Sequence, residues 1–167
     1  MRLPKVTVVT PSFNQAKYLR QNLASVAAQK GVEVEHILLD GGSTDNTVEV
    51  VREHGAHLAW WRSEKDAGQT AALIEGFERA SGEILGWINS DDFLWEERAL
   101  EKVARAFAEN PDAAMVSGDT VLTAEDGTPV MMDMVWRPRA RQMRYNMAVP
   151  QQSTFWRAQA YRAVGGI

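Results

Sequence analysis

SGEILGWINSDDFLW, residues 81–95, holds a short apolar run, Ile84 to Ile88, halted by Asn89-Ser90-Asp91-Asp92. This is the pattern of a buried strand whose carboxyl end carries acidic groups to a surface. Open α/β sheets bind ligands in the crevice outside the carboxyl ends of their strands. Two adjacent carboxylates repel each other unless positive charge stands near. A divalent cation held on a phosphate-bearing substrate supplies that charge, and hard cations take oxygen ligands. The plain alternative is a solvated turn capping the next helix, because Asp and Ser are good cap residues.

Working outward, the chain alternates strand and helix. Lys5–Thr10 is β-branched and reads as a first strand, ending at the loop Pro11-Ser12-Phe13-Asn14. Tyr18, Leu19, Leu23, Val26 and Ala27 then have helical spacing, closed by Gly31. Val34–Leu39 is a second strand running into Asp40-Gly41-Gly42-Ser43-Thr44-Asp45, with a helix from Thr47 to His54 behind it. His57–Trp61 is a third strand, followed by Ser63–Gly68 and an amphipathic helix from Gln69 to about Ala80. After the fourth strand a helix is expected from Glu96 to Glu109, and then a fifth strand at Ala113–Ser117. Such alternation implies right-handed crossovers and a mostly parallel sheet with helices on both faces. The four loops after the strands then share one edge of the sheet. Each carries Asp, Asn, Ser or Gly. One such loop is ordinary turn chemistry, but four on one edge make a polar, acidic cleft.

Composition sets the outer limits. A chain of 167 residues, 45% apolar and 24% charged, suits a single globular domain able to bury a core. Its net charge of -4 argues against nucleic-acid binding, which needs a basic footprint. A nucleotide ligand remains open, since one metal and a few amides can hold a diphosphate. The absence of cysteine excludes disulfides, zinc–thiolate sites and thiol nucleophiles. The start MRLPKVTVVTPS is too quickly interrupted for a signal peptide, and no stretch approaches the roughly 20 apolar residues of a membrane span. A cytoplasmic location is expected, with peripheral attachment at the inner membrane face left open.

TPSFNQAKYLRQNLASV (10–26), ILLDGGSTDNTVEVV (37–51), SEKDAGQTAALIEGF (63–77) and SGEILGWINSDDFLW (81–95) resemble, in order and spacing, the successive blocks of the family 2 glycosyltransferases. The likeness runs from about Val6 to Gly166, and its wording is similar to bacterial members that build cell-surface polysaccharides. It implies the GT-A fold: a mostly parallel sheet with helices on both faces and a small antiparallel addition near residues 119–136. Residues 1–118 would hold the nucleotide-sugar donor, 119–167 would begin the acceptor part, and the sugar would be transferred with inversion. The resemblance places Pro11, Ser12 and Asn14 along the nucleoside. It gives Asp40 the imide N–H of uracil, a task that suits an acceptor-only carboxylate. Asp66 would lie against the base or ribose, and Gly68 would open the next helix. The family's Asp-x-Asp element falls on Asn89-Ser90-Asp91, so Asn89 and Ser90 face the nucleotide and Asp91 binds Mn or Mg, with Asp92 as second ligand or support. That ion would offset the charge of the departing nucleoside diphosphate. Gln151 and Gln152 become sugar or acceptor contacts.

The sequence departs from the family pattern at three places. Asn89 replaces the first Asp of the element. Ile74 stands where Asn is common. The chain stops at Val164-Gly165-Gly166-Ile167 with no Glu-Asp pair behind the glycines, so the base that deprotonates the acceptor is expected beyond Ile167, with Asp119 a weak candidate. The implied partners are a UDP-sugar and a glycan or lipid-linked acceptor. Two other readings stand beside this one. A sugar-phosphate nucleotidyltransferase would carry a glycine-rich phosphate loop after the first strand, where Pro11–Asn14 has none. A non-catalytic nucleotide- or glycan-binding module would fit the missing base.

Other residues have bland readings. Asp45 is expected to cap a helix. Trp60, Trp61 and Trp87 are expected to pack, and His36, His54 and His57 lack metal-ligand spacing. Glu96 and Glu97 suit the first turn of a helix. Glu125-Asp126-Gly127 signals a hairpin with Met131–Trp136 as its returning strand. Arg137, Arg139, Arg141 and Arg144 are either a solvated loop or a contact for an anionic acceptor or membrane surface. The oligomeric state is not legible.

Overall fold

The computed structural model describes residues 2–133 and 149–167. Its main sheet has six strands in the order β3-β2-β1-β4-β8-β5. The first four are β1 (Val6–Ser12), β2 (Val34–Asp40), β3 (Trp60–Ser63) and β4 (Ile84–Trp87). They pair in parallel, as the alternating pattern requires. Between them run α1 (Ala16–Ala27), α2 (Thr47–His54) and α3 (Gln69–Arg79), and α4 (Ala99–Glu109) follows β4.

Every residue of β1 is buried, because helices cover both faces of the sheet. Val6 and Val8 pack with Val26, Leu100, Ala104 and Phe107 on one side. On the other side Val9 packs with Ala72, Leu73 and Phe77 of α3. Leu19, Leu23, Leu38 and Val51 join α1 to α2 over β2. A strand covered on both faces reads as a continuous apolar run, not an alternation.

Several boundaries differ from expectation. β1 runs two residues past Thr10, so Pro11 and Ser12 belong to the strand and not to a loop. The ladder with β4 ends at Val9↔Trp87, while that with β2 continues to Ser12↔Asp40. The Ser12 carbonyl accepts Gly41 N–H on the β2 side. By the alternation of a strand, the nitrogen of Pro11 faces the other side, where no ladder bond is left to lose. β3 begins at Trp60, not His57, because a turn brings Leu58 N–H to the Gly55 carbonyl first. α4 begins at Ala99, not Glu96. Leu100 N–H donates to the Gln29 side chain at 3.0 Å, and the Glu96 carbonyl is held by Gln29 Nε2 at 2.8 Å. Glu96 and Glu97 instead pair with Lys102 and Lys30.

β5 is only Met115–Ser117, and β8 (Thr154–Arg157) inserts between it and β4, antiparallel to both. The expected fifth strand is therefore not β4's neighbour. α5 (Ala158–Ala163) follows β8. The antiparallel addition is a separate ribbon of β6 (Thr120–Thr123) and β7 (Pro129–Asp133), so the return starts two residues before Met131. Trp136 and the arginines from Arg137 to Arg144 lie outside the described residues. Trp60 and Trp61 do pack: Arg79 stands 3.8 Å over the Trp60 ring, and Trp61 rests on the α1–α2 cluster. Among the described residues no helix is long and apolar enough to cross a membrane.

Candidate functional site

The carboxyl ends of β1, β2, β3 and β4 open into one cleft of about 700 Å³. Pro11, Ser12, Gly41, Asp66, Gln69 and Asp91 are among the residues lining it. Residues from all four expected loops thus meet at one place. Asn89, Ser90 and Gly68 also line the cleft, whereas Asn14, Asp40, Asp92, Asp119, Gln151 and Gln152 do not.

Asp40 is wholly buried. Its Oδ2 accepts Gly42 N–H at 3.2 Å, Ser43 N–H at 2.9 Å and Ser63 Oγ–H at 2.6 Å. Its Oδ1 accepts the Ser43 hydroxyl. These donors hold the glycine turn in shape and crowd Oδ2, while Oδ1 takes a single donor. Gly42 has φ 83, and a Cβ there would come within 3.0 Å of the Lys65 nitrogen. Glycine is needed for both reasons.

The carboxylate that faces the cleft from this side is Asp66. Its Oδ1 accepts Gly68 N–H at 2.9 Å, and Arg62 approaches Oδ2 at 3.5 Å. A Cβ on Gly41 would lie 3.2 Å from Asp66 Oδ1 and 3.5 Å from the Phe13 ring. A bare backbone is what lets Asp66 and the exposed Phe13 share that wall. Arg62 also donates to the Asp40 carbonyl and to Glu75, tying the second and third loops together.

Asn14 has φ 54, in the left-handed region. Its Oδ1 accepts Thr44 N–H at 2.9 Å, and its own N–H donates to Ser43 Oγ at 2.7 Å. Asn14 therefore pins the first loop to the second. Asp45 caps two helix starts, accepting Ala16 N–H at 3.1 Å and Thr47 N–H at 3.1 Å.

On the opposite wall Asp91 is exposed to the cleft and Asp92 is half-buried beside it. Burial, and then the negative charge of Asp91, push Asp92 up to about 6. That surplus of negative charge, on hard oxygen donors, fits a divalent cation. Among the described residues no cluster of three His, Asp or Glu could form a self-sufficient metal cage. One or two carboxylates plus substrate phosphates are the usual holder of Mg²⁺. Ser12 Oγ is buried with no hydrogen-bond partner among the described residues, and Ser12 lines the cleft, which leaves a polar atom for a ligand.

Asn89 is spanned by two amides. Gln69 Nε2 donates to its Oδ1 at 2.7 Å, and its Nδ2 donates to Gln151 Oε1 at 3.2 Å. Gln151 Nε2 in turn holds the Trp87 carbonyl at 2.9 Å. Gln151 comes from a single 3-10 turn, Gln151–Ser153, just before β8. Gln152 is half-buried beside it. Asp119 is exposed between β5 and β6.

Sequence reasoning passed over Phe13, Arg62, Lys65, Gln69 and Asn22. Asn22 and Ser25 on α1 and Gln29 just past its end lie three and four apart, one polar stripe beside the helix's leucines, and that spacing was a usable signal.

The chain matches the model of Glycosyl transferase family 2 over residues 7–162, and it belongs to that family. Among curated relatives, the putative teichuronic acid biosynthesis glycosyltransferase TuaG of Bacillus subtilis is 31% identical over 132 residues, covering 76% of this chain and 51% of the relative. An uncharacterized glycosyltransferase of Mycobacterium tuberculosis is 39% identical over 90 residues, covering 53% of this chain and 34% of that protein. The chain thus spans between about a third and about a half of these relatives' length. The structure is similar to the mannosyltransferase PcManGT from Pyrobaculum calidifontis in complex with GDP-Man and Mn²⁺, with TM-score 0.74 and 22% identity, over 99% of this chain and 48% of that one. It is also similar to S. aureus TarS 1-349 in complex with UDP-GlcNAc, with TM-score 0.71 and 20% identity, over 96% of this chain and 47% of that one. The GT-A fold expected from the sequence is the fold observed.

Proposed function

We propose that this chain holds the donor in a metal-assisted, inverting transfer of a sugar from a UDP-sugar to a glycan or lipid-linked acceptor. The observation that carries the reading is the pairing, across one cleft, of Asp66 with Asp91. The base-side wall is Phe13, Gly41 and Asp66. With Asp66 Oδ1 already taking Gly68 N–H, its remaining capacity suits a single imide N–H such as that of uracil. The diphosphate would lie near the start of α3, whose free N–H groups favour negative charge, with Lys65 at the rim. Asp91, supported by Asp92, would hold a Mn or Mg ion on the diphosphate. When bound, that ion supplies Lewis-acid relief of the charge on the leaving nucleoside diphosphate.

Asp66 and Asp91 are committed to the donor in this scheme, and Asp119 stands outside the cleft. The fold neighbours bound to GDP-Man with Mn²⁺ and to UDP-GlcNAc support the reading for the family's donor class. A cytoplasmic place at the inner membrane face is part of the same proposal. Calorimetry with UDP and GDP, each with and without Mn²⁺, tests it. Metal-dependent binding of UDP above GDP is expected, and equal binding of the two would remove the base assignment.

A further inference from the structure

Between Ile88 and Ala99 the chain has no helix or strand, yet this stretch carries Asp91 and Asp92. An irregular segment of that length needs something to hold it. The grip comes from α1. Asn22 is fully buried, between Leu19 and Leu23 of the core. Its Nδ2 donates to the Asn89 carbonyl at 3.0 Å and to the Asp92 carbonyl at 2.9 Å. The Asn89 carbonyl also accepts Asp92 N–H at 3.0 Å. One amide group therefore closes both ends of the four-residue turn that presents Asp91.

The same helix face continues the hold further along. Ser25 Oγ accepts Leu94 N–H at 3.1 Å, and Gln29 Nε2 donates to the Glu96 carbonyl at 2.8 Å. These contacts lie beyond the acidic turn, whereas the Asn22 side chain spans it. Asn22 Oδ1 is buried with no hydrogen-bond partner among the described residues. A buried amide with an unmet acceptor is unfavourable for stability, and an apolar side chain would fill the space without that penalty. The residue makes sense through what its N–H groups do to the turn.

We propose that Asn22 is a positioning residue for cation binding: by fixing the Asn89 and Asp92 carbonyls it sets where the Asp91 carboxylate stands relative to the donor cleft. The proposal rests on the metal-assisted reading given above. Groups that orient a metal's ligands typically change metal affinity by roughly 10–100-fold when lost.

The test is calorimetry of UDP binding, with and without Mn²⁺, on wild type, Asn22→Ala and Gln29→Ala. Asn22→Leu serves as a second variant that keeps the buried volume and the helix. Both Asn22 variants are expected to lose about tenfold or more in Mn²⁺-dependent UDP affinity, while metal-free UDP binding stays within about twofold. Gln29→Ala, which loosens the loop beyond the turn, should keep the metal dependence. If wild type shows metal dependence and both Asn22 variants match it, the proposal is overturned alone. Equal weakening with and without metal also overturns it, since Asn22 would then support the cleft as a whole. If wild-type UDP binding ignores Mn²⁺, the metal-assisted reading falls and takes the proposal with it.

Discussion

Asn89 and Gln151, 62 residues apart in sequence, share a hydrogen bond of 3.2 Å at the floor of the cleft. Gln151 also holds the Trp87 carbonyl, so it joins the antiparallel β8 side of the molecule to the end of β4. Through Gln69 the same chain of amides reaches the first turn of α3. The resemblance implied sugar or acceptor contacts for Gln151 and Gln152; in the structure the Gln151 amide bonds Asn89 and the Trp87 carbonyl. Gln151→Ala is therefore expected to weaken UDP and a UDP-sugar by the same few-fold factor, and to lower stability by about 1 kcal/mol. Titration of both ligands separates the cases: a direct sugar contact would weaken only the UDP-sugar.

Asp40 and Asp66 should part company on mutation. Removing the Asp40 carboxylate strands the donors of Gly42, Ser43 and Ser63 in a buried place. Asp40→Ala is expected to lose on the order of 3 kcal/mol in urea unfolding. Asp66→Ala should unfold close to wild type yet lose the preference for UDP over GDP. A loss of base preference with unchanged stability in Asp40→Ala would reverse the assignment.

Acid should destabilise the chain through a pair of histidines far from the chemistry. His36 Nδ1 and His57 Nε2 are 2.9 Å apart, and Thr10 Oγ1 lies 2.9 Å from His36 Nε2. Burial first, then the nearness of His57, lower His36 from 6.5 to about 3. The unfolded chain thus takes up a proton below pH 6.5 that the folded chain refuses until near pH 3. Stability from this source is complete above 6.5 and is lost as pH falls through that window. By pH 5 the loss is about 2 kcal/mol. Urea unfolding of wild type and His36→Gln at pH 7 and pH 5 should show it: wild type should lose about that much more than the variant on going to pH 5.

Asp92 has the opposite sign. An acid raised to about 6 keeps its proton in the folded chain after the unfolded chain has released it. Metal-free stability from this group therefore falls as pH rises from about 4 to about 6 and is flat above. Asp91→Asn removes the repelling charge, so NMR titration should find Asp92 lower in that variant than in wild type.

Much of the fold was legible because the β-branched run Val6–Val9 and the apolar runs Ile37–Leu39 and Ile84–Ile88 each lead into a polar or acidic stretch, with amphipathic helices between them. The fifth strand, expected at Ala113–Ser117, is found at Met115–Ser117, but its neighbour in the sheet arrives some 40 residues later as β8, a long-range pairing that local pattern does not report. The start of α4 was misjudged because Glu96 and Glu97 look like ideal first-turn acids, while Gln29 and Lys30 of another element claim their backbone. Within the site, residue types at loop positions pointed to the right edge of the sheet. They did not separate a carboxylate that faces the cleft, Asp66, from one that builds its wall, Asp40, because that distinction lies in which donors surround each group. Asn22 was hidden for the same reason: its partners are backbone carbonyls of residues 89 and 92, which leave no mark on the sequence.

The most direct test of the central claim is calorimetric titration of UDP into wild type and Asp91→Asn, each with and without Mn²⁺. Wild type should bind UDP about tenfold or more tightly with the metal, and Asp91→Asn should bind it weakly and equally in both conditions. UDP binding that is indifferent to Mn²⁺ in wild type, or a metal dependence that survives in Asp91→Asn, would contradict the account.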